Sequence, residues 1–280
     1  MNTERWTWTT ADGLRLQVTA WQPQDPPKAV IALLHGLGSH MGRLAPVAEA
    51  LCTAGYAVAG CDLRGFGRSE GQRGHTPSLQ VWFDDIAGFL AQLRRRDPAL
   101  PQLLYGLSMG AVLALAFTVA RRPDLVGVVA ASPALRSRVA EQRLKLWLVR
   151  GLGRLWPTLA LDSGLDRSQL SRDPSVQASV EADPLCHGTV TTGWGLAMLQ
   201  AIDLAQQSAS RFPVPLLLLH GSADAIAYPS GSAAFAASAP PEVVTFQLWQ
   251  GLGHELHSDP DREAVFEFLV AWLDQRISGR

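Results

Sequence analysis

Short, continuously apolar runs alternate with amphipathic stretches along most of this 280-residue chain, and that alternation constrains the fold more than any other feature. The runs Ala29–Leu34, Tyr56–Cys61, Leu103–Leu107, Leu125–Ala131, Val214–Leu219 and Val243–Trp249 have the length of strands and carry little polar character. Strands apolar on both faces need cover on both faces, as in a mainly parallel sheet between helices. Leu44–Thr53, Leu79–Arg95, Ala111–Ala120, Ser230–Ala237 and Arg262–Arg276 read as those helices. Arg5–Thr10 and Leu14–Trp21 are joined only by Asp12-Gly13, too short for a crossover, so they predict an antiparallel hairpin at the sheet edge. The expected class is α/β, with a mainly parallel eight-stranded sheet flanked by helices.

The rhythm breaks after Ser132-Pro133, and about eighty residues pass before the run at Val214, far more than an ordinary connection. An insertion is therefore expected over 134–210, dividing the core into 1–133 and 211–280. Ser137–Trp156 reads as an amphipathic helix, with Leu144, Trp147, Leu148, Leu152 and Leu155 on one side and Arg136, Arg143, Arg150 and Arg154 on the other. Seven Arg and Lys145 against Glu141, Asp162 and Asp166 give residues 134–172 a local net charge of about +5. Such a stripe suits peripheral contact with an anionic membrane.

Net charge of −1 and 18% charged residues disfavour disorder and bulk nucleic-acid binding, while 47% hydrophobic residues are enough to build a large core. Met1–Thr10 has no apolar signal-like stretch, and no run approaches the roughly 20 residues that cross a bilayer, so a cytoplasmic protein is expected. The three cysteines, Cys52, Cys61 and Cys186, share no metal-ligand spacing and form no even set for a disulfide framework. No metal or organic cofactor is expected.

Chemistry is concentrated at Gly106-Leu107-Ser108-Met109-Gly110. Glycine–X–serine–X–glycine is a weak pattern alone, but here it falls where a strand run turns directly into a helix run, the setting that strains a serine and exposes its hydroxyl. A serine hydroxyl needs a base, and the base needs an orienting acid. Among seven histidines, His254 and His257 follow the last strand run. His254 sits on a glycine-flanked loop, whereas His257, nearer the final helix, reads as a surface or capping residue. Asp224 follows the very apolar run ending at Leu219 and completes the order Ser, Asp, His; the rival Asp62 reads as a loop-holding carboxylate. Backbone N–H groups of Met109 and of Leu37, in His35-Gly36-Leu37-Gly38, are the candidate donors for an oxyanion. His35 and His220 each end a strand before Gly and read as loop braces.

Five motifs together resemble the monoacylglycerol lipase and lysophospholipase branch of the α/β-hydrolases. They are His35-Gly36-Leu37-Gly38-Ser39-His40, Asp62 to Gly71, Gly106 to Gly110, His220 to Asp224 with Pro229, and Gly253-His254-Glu255. Ser132 to Leu135, Leu170 to Pro174 and Asp183 to Leu185 resemble that branch's helical cap. The resemblance implies an α/β-hydrolase fold, Ser108 as nucleophile, Asp224 as acid, His254 as base, and Leu37 and Met109 as oxyanion donors. It also implies a single-chain lipid ester as substrate, monoacylglycerol first, with lysophospholipase or general carboxylesterase activity as alternatives. A non-catalytic sensor of apolar ligands on the same fold is the reading from another class. The branch usually has His and Gly where this chain has Leu107 and Ala111, which bears on selectivity. Leu107, Trp147 and Leu148 are the candidate substrate contacts.

Overall fold

The structure is a computed structural model and describes residues 1–137, 149 and 151–278. Its strands are β1 (Asn2–Thr9), β2 (Arg15–Gln22), β3 (Val30–Leu34), β4 (Ala57–Cys61), β5 (Gln102–Leu107), β6 (Gly127–Ala131), β7 (Ala160–Asp162), β8 (Thr189–Thr191), β9 (Leu216–Gly221) and β10 (Val244–Trp249). Eight of them form one sheet in the order β1-β2-β4-β3-β5-β6-β9-β10. Only β1 and β2 run antiparallel to their neighbours. The hairpin edge follows from the turn residue Gly13, whose φ of 89° suits glycine.

The helices are α1 (Ala45–Thr53), α2 (Leu79–Arg96), α3 (Met109–Arg121), α4 (Pro174–Ala182), α5 (Thr192–Ser208), α6 (Pro229–Ser238) and α7 (Arg262–Ser278). Strand periodicity distributes the core between them. Val30, Ala32 and Leu34 of β3 join the apolar layer with Trp82 and Ile86 of α2, Leu113 of α3 and Phe235 of α6. Ile31 and Leu33 face the other way, into the layer with Val47 and Leu51 of α1 and Leu269 and Trp272 of α7. The sheet is thus covered on both sides, and its parallel strands all end at one rim.

The stretch between β6 and β9 is not purely helical, contrary to expectation. It holds the two-stranded antiparallel sheet β7/β8 as well as α4. Its last helix, α5, sends Ala197, Met198, Ala201 and Ala205 into the same apolar layer as α2 and α3, as a crossover helix does. Most of the anticipated Ser137–Trp156 helix, including Arg143, Leu144, Trp147, Leu148 and Arg150, lies outside the described residues; residues 151–155 are helical. Leu155, placed by spacing on the packed side, is 86% exposed beside Trp156 at 59%. Arg154 is exposed as well, so the side-by-side segregation fails at the helix end.

One buried cation joins three parts of the core. The Arg64 side chain, 3% exposed, donates from Nη2 to Asp85 Oδ1 on α2 at 2.8 Å and from Nη1 to Asp12 Oδ2 of the hairpin turn at 2.9 Å. Replacing it with Met strands Asp85 as a buried, unpaired carboxylate, a loss expected to cost about 3 kcal/mol in urea unfolding. Hydrogen bonds from Arg64 and Thr10 hold the Asp12 carboxyl down at about 2. A lowered folded value means its contribution is complete above about pH 4 and fades as pH falls toward 2. The urea midpoints of wild type and Asp12→Asn should therefore differ at pH 7 and converge at pH 2; a gap that persists in acid contradicts this linkage.

Candidate active site

Ser108 occupies the single residue between β5 and α3 with φ 54° and ψ −112°, a backbone region costly for a side chain. Its N–H donates to Ala131 O of β6 at 2.9 Å, and its carbonyl accepts from Ala111 and Val112 at 3.1 Å, so the bend is pinned on both sides. Glycine two residues away on each side is a packing requirement. A Cβ on Gly106 would lie 2.3 Å from Gly110 O, and one on Gly110 would lie 2.3 Å from Leu34 O. That close passage sets α3 against the end of β3 and brings the next loop to the serine. The Cβ direction of Gly36 points at Ser108 Cβ from 3.4 Å. Among the described residues, the N–H groups of Leu37 and Met109 have no backbone carbonyl partner. The amide of Met109 opens a helix, where such donors are unpaired and the helix dipole favours negative charge.

On the same rim, Asp224 and His254 meet. His254 Nδ1 lies 2.7 Å from Asp224 Oδ2, with both side chains buried. Nδ1 therefore carries the proton and donates it, leaving the Nε2 lone pair free. The two loops are closed against each other by backbone contacts. Ser222 N–H donates to Trp249 O at 2.8 Å, Ala223 N–H donates to Leu252 O at 3.0 Å, and a Cβ on Gly221 would strike the carbonyls of Leu252 and Gly253 at 2.3 Å. Asp224 is fully engaged. Its Oδ1 accepts from the N–H groups of Ile226 and Ala227 at 2.9 Å, and its Oδ2 also accepts from His220 Nε2 at 3.1 Å. Burial alone would raise this carboxyl, but the neighbouring His254 and His220 outweigh it and hold Asp224 well below the usual carboxylate range.

Ser132 ties the serine side to the histidine side. Held at φ 45° and fully buried, it donates its hydroxyl to His254 O at 2.7 Å and its N–H to Leu219 O at 2.7 Å. The residue before it, Ala131, is the one that receives the Ser108 N–H. Among the described residues the Ser108 hydroxyl has no hydrogen-bond partner; the residue is 8% exposed. In the sequence Ser132-Pro133 marks the break in the alternation and the start of the cap-like insertion, and nothing local marks a bond from Ser132 to residue 254.

The remaining candidates separate by what they touch. Asp62 accepts from the N–H groups of Met41 at 2.7 Å and Arg68 at 2.9 Å, holding its loop. His35 Nε2 accepts from Leu63 N–H at 3.0 Å, and burial takes its imidazole down to about 4, so it stays neutral. His220 braces Asp224 directly, with Nδ1 2.7 Å from Ser232 Oγ. His257 is not a surface or capping residue. It is 2% exposed, both ring nitrogens lack hydrogen-bond partners among the described residues, and burial depresses its basicity. Leu107 is buried in the layer shared with α1 and α7, on the face of β5 that also carries Leu103 and Tyr105. Trp147 and Leu148 lie outside the described residues.

Beside Leu37 opens a small solvent-connected cleft, lined by Arg43, Arg167, Leu170, His187 and Glu255 among others. Arg43 Nη2 pairs with Glu255 Oε2 at 3.1 Å. Next to it, His40, Asp183 and Cys186 bring potential ligand atoms within 4.8 Å of one another, a grouping that spacing gave no hint of. Its chemistry does not fit a metal. His40 Nδ1 accepts from Gly42 N–H at 3.1 Å, so Nε2 holds the proton it donates to Asp183 Oδ2 at 2.8 Å. Burial also pushes the Cys186 thiol up to about 11, away from thiolate. The cluster is a hydrogen-bonded clamp between the loop after β3 and the segment after α4.

A strained serine at the end of β5, an Asp–His pair at the ends of β9 and β10, and this strand order define the α/β-hydrolase class. Residues 25–261 match the family described as "Serine aminopeptidase, S33", and the chain belongs to it. The chain is 31% identical over 273 residues to the monoglyceride lipase of Homo sapiens, covering 96% of this chain and 89% of that protein. It is 30% identical over 255 residues to phospholipase YtpA of Bacillus subtilis, covering 90% and 98%. Among solved structures, the monoacylglycerol lipase of Paleococcus ferrophilus superposes with a TM-score of 0.84 at 31% identity, covering 99% of this chain and all of that one.

Proposed function

We propose that the protein is a serine hydrolase that cleaves the ester of single-chain lipids, monoacylglycerol foremost, to free fatty acid and alcohol. The observation that carries the reading is the buried His254–Asp224 hydrogen bond on the rim where Ser108 is held in a strained bend. His254 Nε2 takes the Ser108 proton as Oγ attacks the ester carbonyl, closing in the substrate complex a contact that apo geometries leave open. Asp224, kept anionic by its donors, stabilises the imidazolium so formed. The N–H groups of Leu37 and Met109 receive the oxyanion. His254 then returns its proton to the leaving alcohol, and water, deprotonated by the same ring, releases the acid from Ser108.

The sequence relatives, named as monoglyceride lipases and a phospholipase, support an acyl-glycerol or phospholipid ester, while the family description includes aminopeptidases; the leaving group decides among them. Turnover of monoacylglycerols, lysophospholipids, short aryl esters and aminoacyl arylamides by the purified protein tests the reading directly. Monoacylglycerol should give the highest kcat/KM. Faster arylamide cleavage would overturn an ester-lipid assignment. A sensor that merely holds apolar ligands would leave Ser108 unlabelled by a fluorophosphonate.

The described part of the stretch 134–210 serves as the cap over this rim, its roofing part lying within residues 151–191, and each buried CH₂ of an acyl chain there contributes about 0.8 kcal/mol. The same stretch supplies a peripheral membrane contact: Leu155 and Trp156 follow Arg154 in the chain and all three are exposed, as is Leu161, while among the described residues no helix is long and apolar enough to cross a membrane. Co-sedimentation with anionic liposomes should fall severalfold in Leu155→Ser/Trp156→Ser at unchanged activity on a soluble ester. Equal binding by the double variant removes the contact.

A further inference from the structure

The loop that carries His254 is fastened to the inserted stretch. Glu255 N–H donates to Leu170 O at 2.7 Å, and Ser171 Oγ donates to Ser258 O at 2.9 Å. The strongest fastening follows at once: Arg172 forks onto Asp259, with Nε 2.9 Å from Oδ2 and Nη2 on Oδ1. The Asp259 side chain is 1% exposed, whereas Asp261, which also meets Arg172 Nη2 at 2.6 Å, is 67% exposed. Asp259 also accepts from Asp261 N–H at 3.0 Å. Burial works against its ionised form, yet hydrogen bonds from Arg172 and from the Asp261 amide prevail and hold it below the usual range. Glu255 immediately follows His254 and its partner Leu170 lies two residues before Arg172, so the Arg172–Asp259 fork holds the inserted stretch against the loop that carries the base.

We propose that Asp259 is a positioning residue for His254 and that Arg172, reaching in from the insertion, is the counter-ion that keeps it in place. The inserted stretch is then part of the apparatus that sets the base, in addition to covering the substrate. A buried carboxylate deprived of its guanidinium either protonates or shifts toward water, and both loosen residues 170–172 from the base loop that Glu255 N–H ties to Leu170 O. A displacement of well under 1 Å at the imidazole is enough to lower the chemical step. This inference rests on His254 acting as the base.

Kinetics on a soluble short-chain aryl ester separate the two ideas. His254→Ala must first lose activity; retained turnover there rejects the base assignment itself. With that established, Arg172→Met and Asp259→Asn should each lower kcat about tenfold with KM within twofold of wild type. The double variant should lose no more than the worse single one, because both remove the same strut. Arg172→Lys should recover part of kcat, and Asp261→Asn, which removes only the exposed pair, should stay within twofold. The low-field proton resonance of the His254–Asp224 hydrogen bond should move or broaden in Arg172→Met and stay in place in Asp261→Asn. If Arg172→Met does not fold, Arg172→Lys and Asp259→Asn carry the same comparison. Folded Arg172→Met or Asp259→Asn with kcat within twofold of wild type and an unmoved resonance overturns the proposal.

Discussion

Ser108→Ala should reduce ester hydrolysis by roughly 10⁴- to 10⁶-fold in kcat and abolish fluorophosphonate labelling, with the melting temperature unchanged or raised. The size follows from the cooperative unit: without Oγ, the Nε2 lone pair of His254 has no proton to take and Asp224 no imidazolium to stabilise, and only binding and the two amide donors remain. The absence of a stability penalty follows from the backbone. Ser108 holds φ 54° through its own N–H and carbonyl and through the glycines at 106 and 110, and none of those contacts uses the hydroxyl. Ser108→Gly relieves the strained φ and should be the more stable of the two dead variants. Labelling that survives Ser108→Ala would place the nucleophile elsewhere and remove the mechanism.

Asp224→Asn should cost about 10⁴ in kcat while leaving substrate affinity nearly intact. The carboxylate accepts at both oxygens: Oδ1 from Ile226 and Ala227, Oδ2 from His254 and His220. An amide can satisfy only the first pair. Its NH₂, forced toward His254, turns Nδ1 into an acceptor and puts the ring proton on Nε2, where the base is needed. The same substitution at Asp62, whose oxygens serve Met41 N–H and Arg68 N–H, should lower stability and leave kcat within a few-fold. If Asp62→Asn kills the chemistry and Asp224→Asn spares it, the acid has been assigned to the wrong strand.

The nucleophile, acid and base candidates were legible because each sits one to five residues past an apolar strand, and parallel strands deliver such residues to one rim. Selectivity was less legible. Leu107 looked like a pocket residue from its place before Ser108, yet a period of two turns it to the face of β5 that α1 and α7 cover. His257 looked like a cap because it precedes a helix, whereas a tight turn at Leu256–Ser258 folds it inward. The contacts that hold the site together join residues far apart in the chain: Ser132 and His254 are separated by 122 positions, Arg172 and Asp259 by 87, His40 and Asp183 by 143. Nothing in a local pattern announces such partners. Spacing also placed Leu155 with packed residues, although the helix end leaves it in solvent.

The clamp of His40 on Asp183 has a practical corollary for anyone recombining this protein with its kin. Together with the backbone bond from His187 N–H to Gly38 O at 3.1 Å, it sews the far side of the inserted stretch to the turn that offers the Leu37 amide. A roof transplanted from a relative with only its acyl-facing surface would arrive without these stitches and leave that turn slack. A working chimera has to carry residues 170–187 together with the loops they are sewn to.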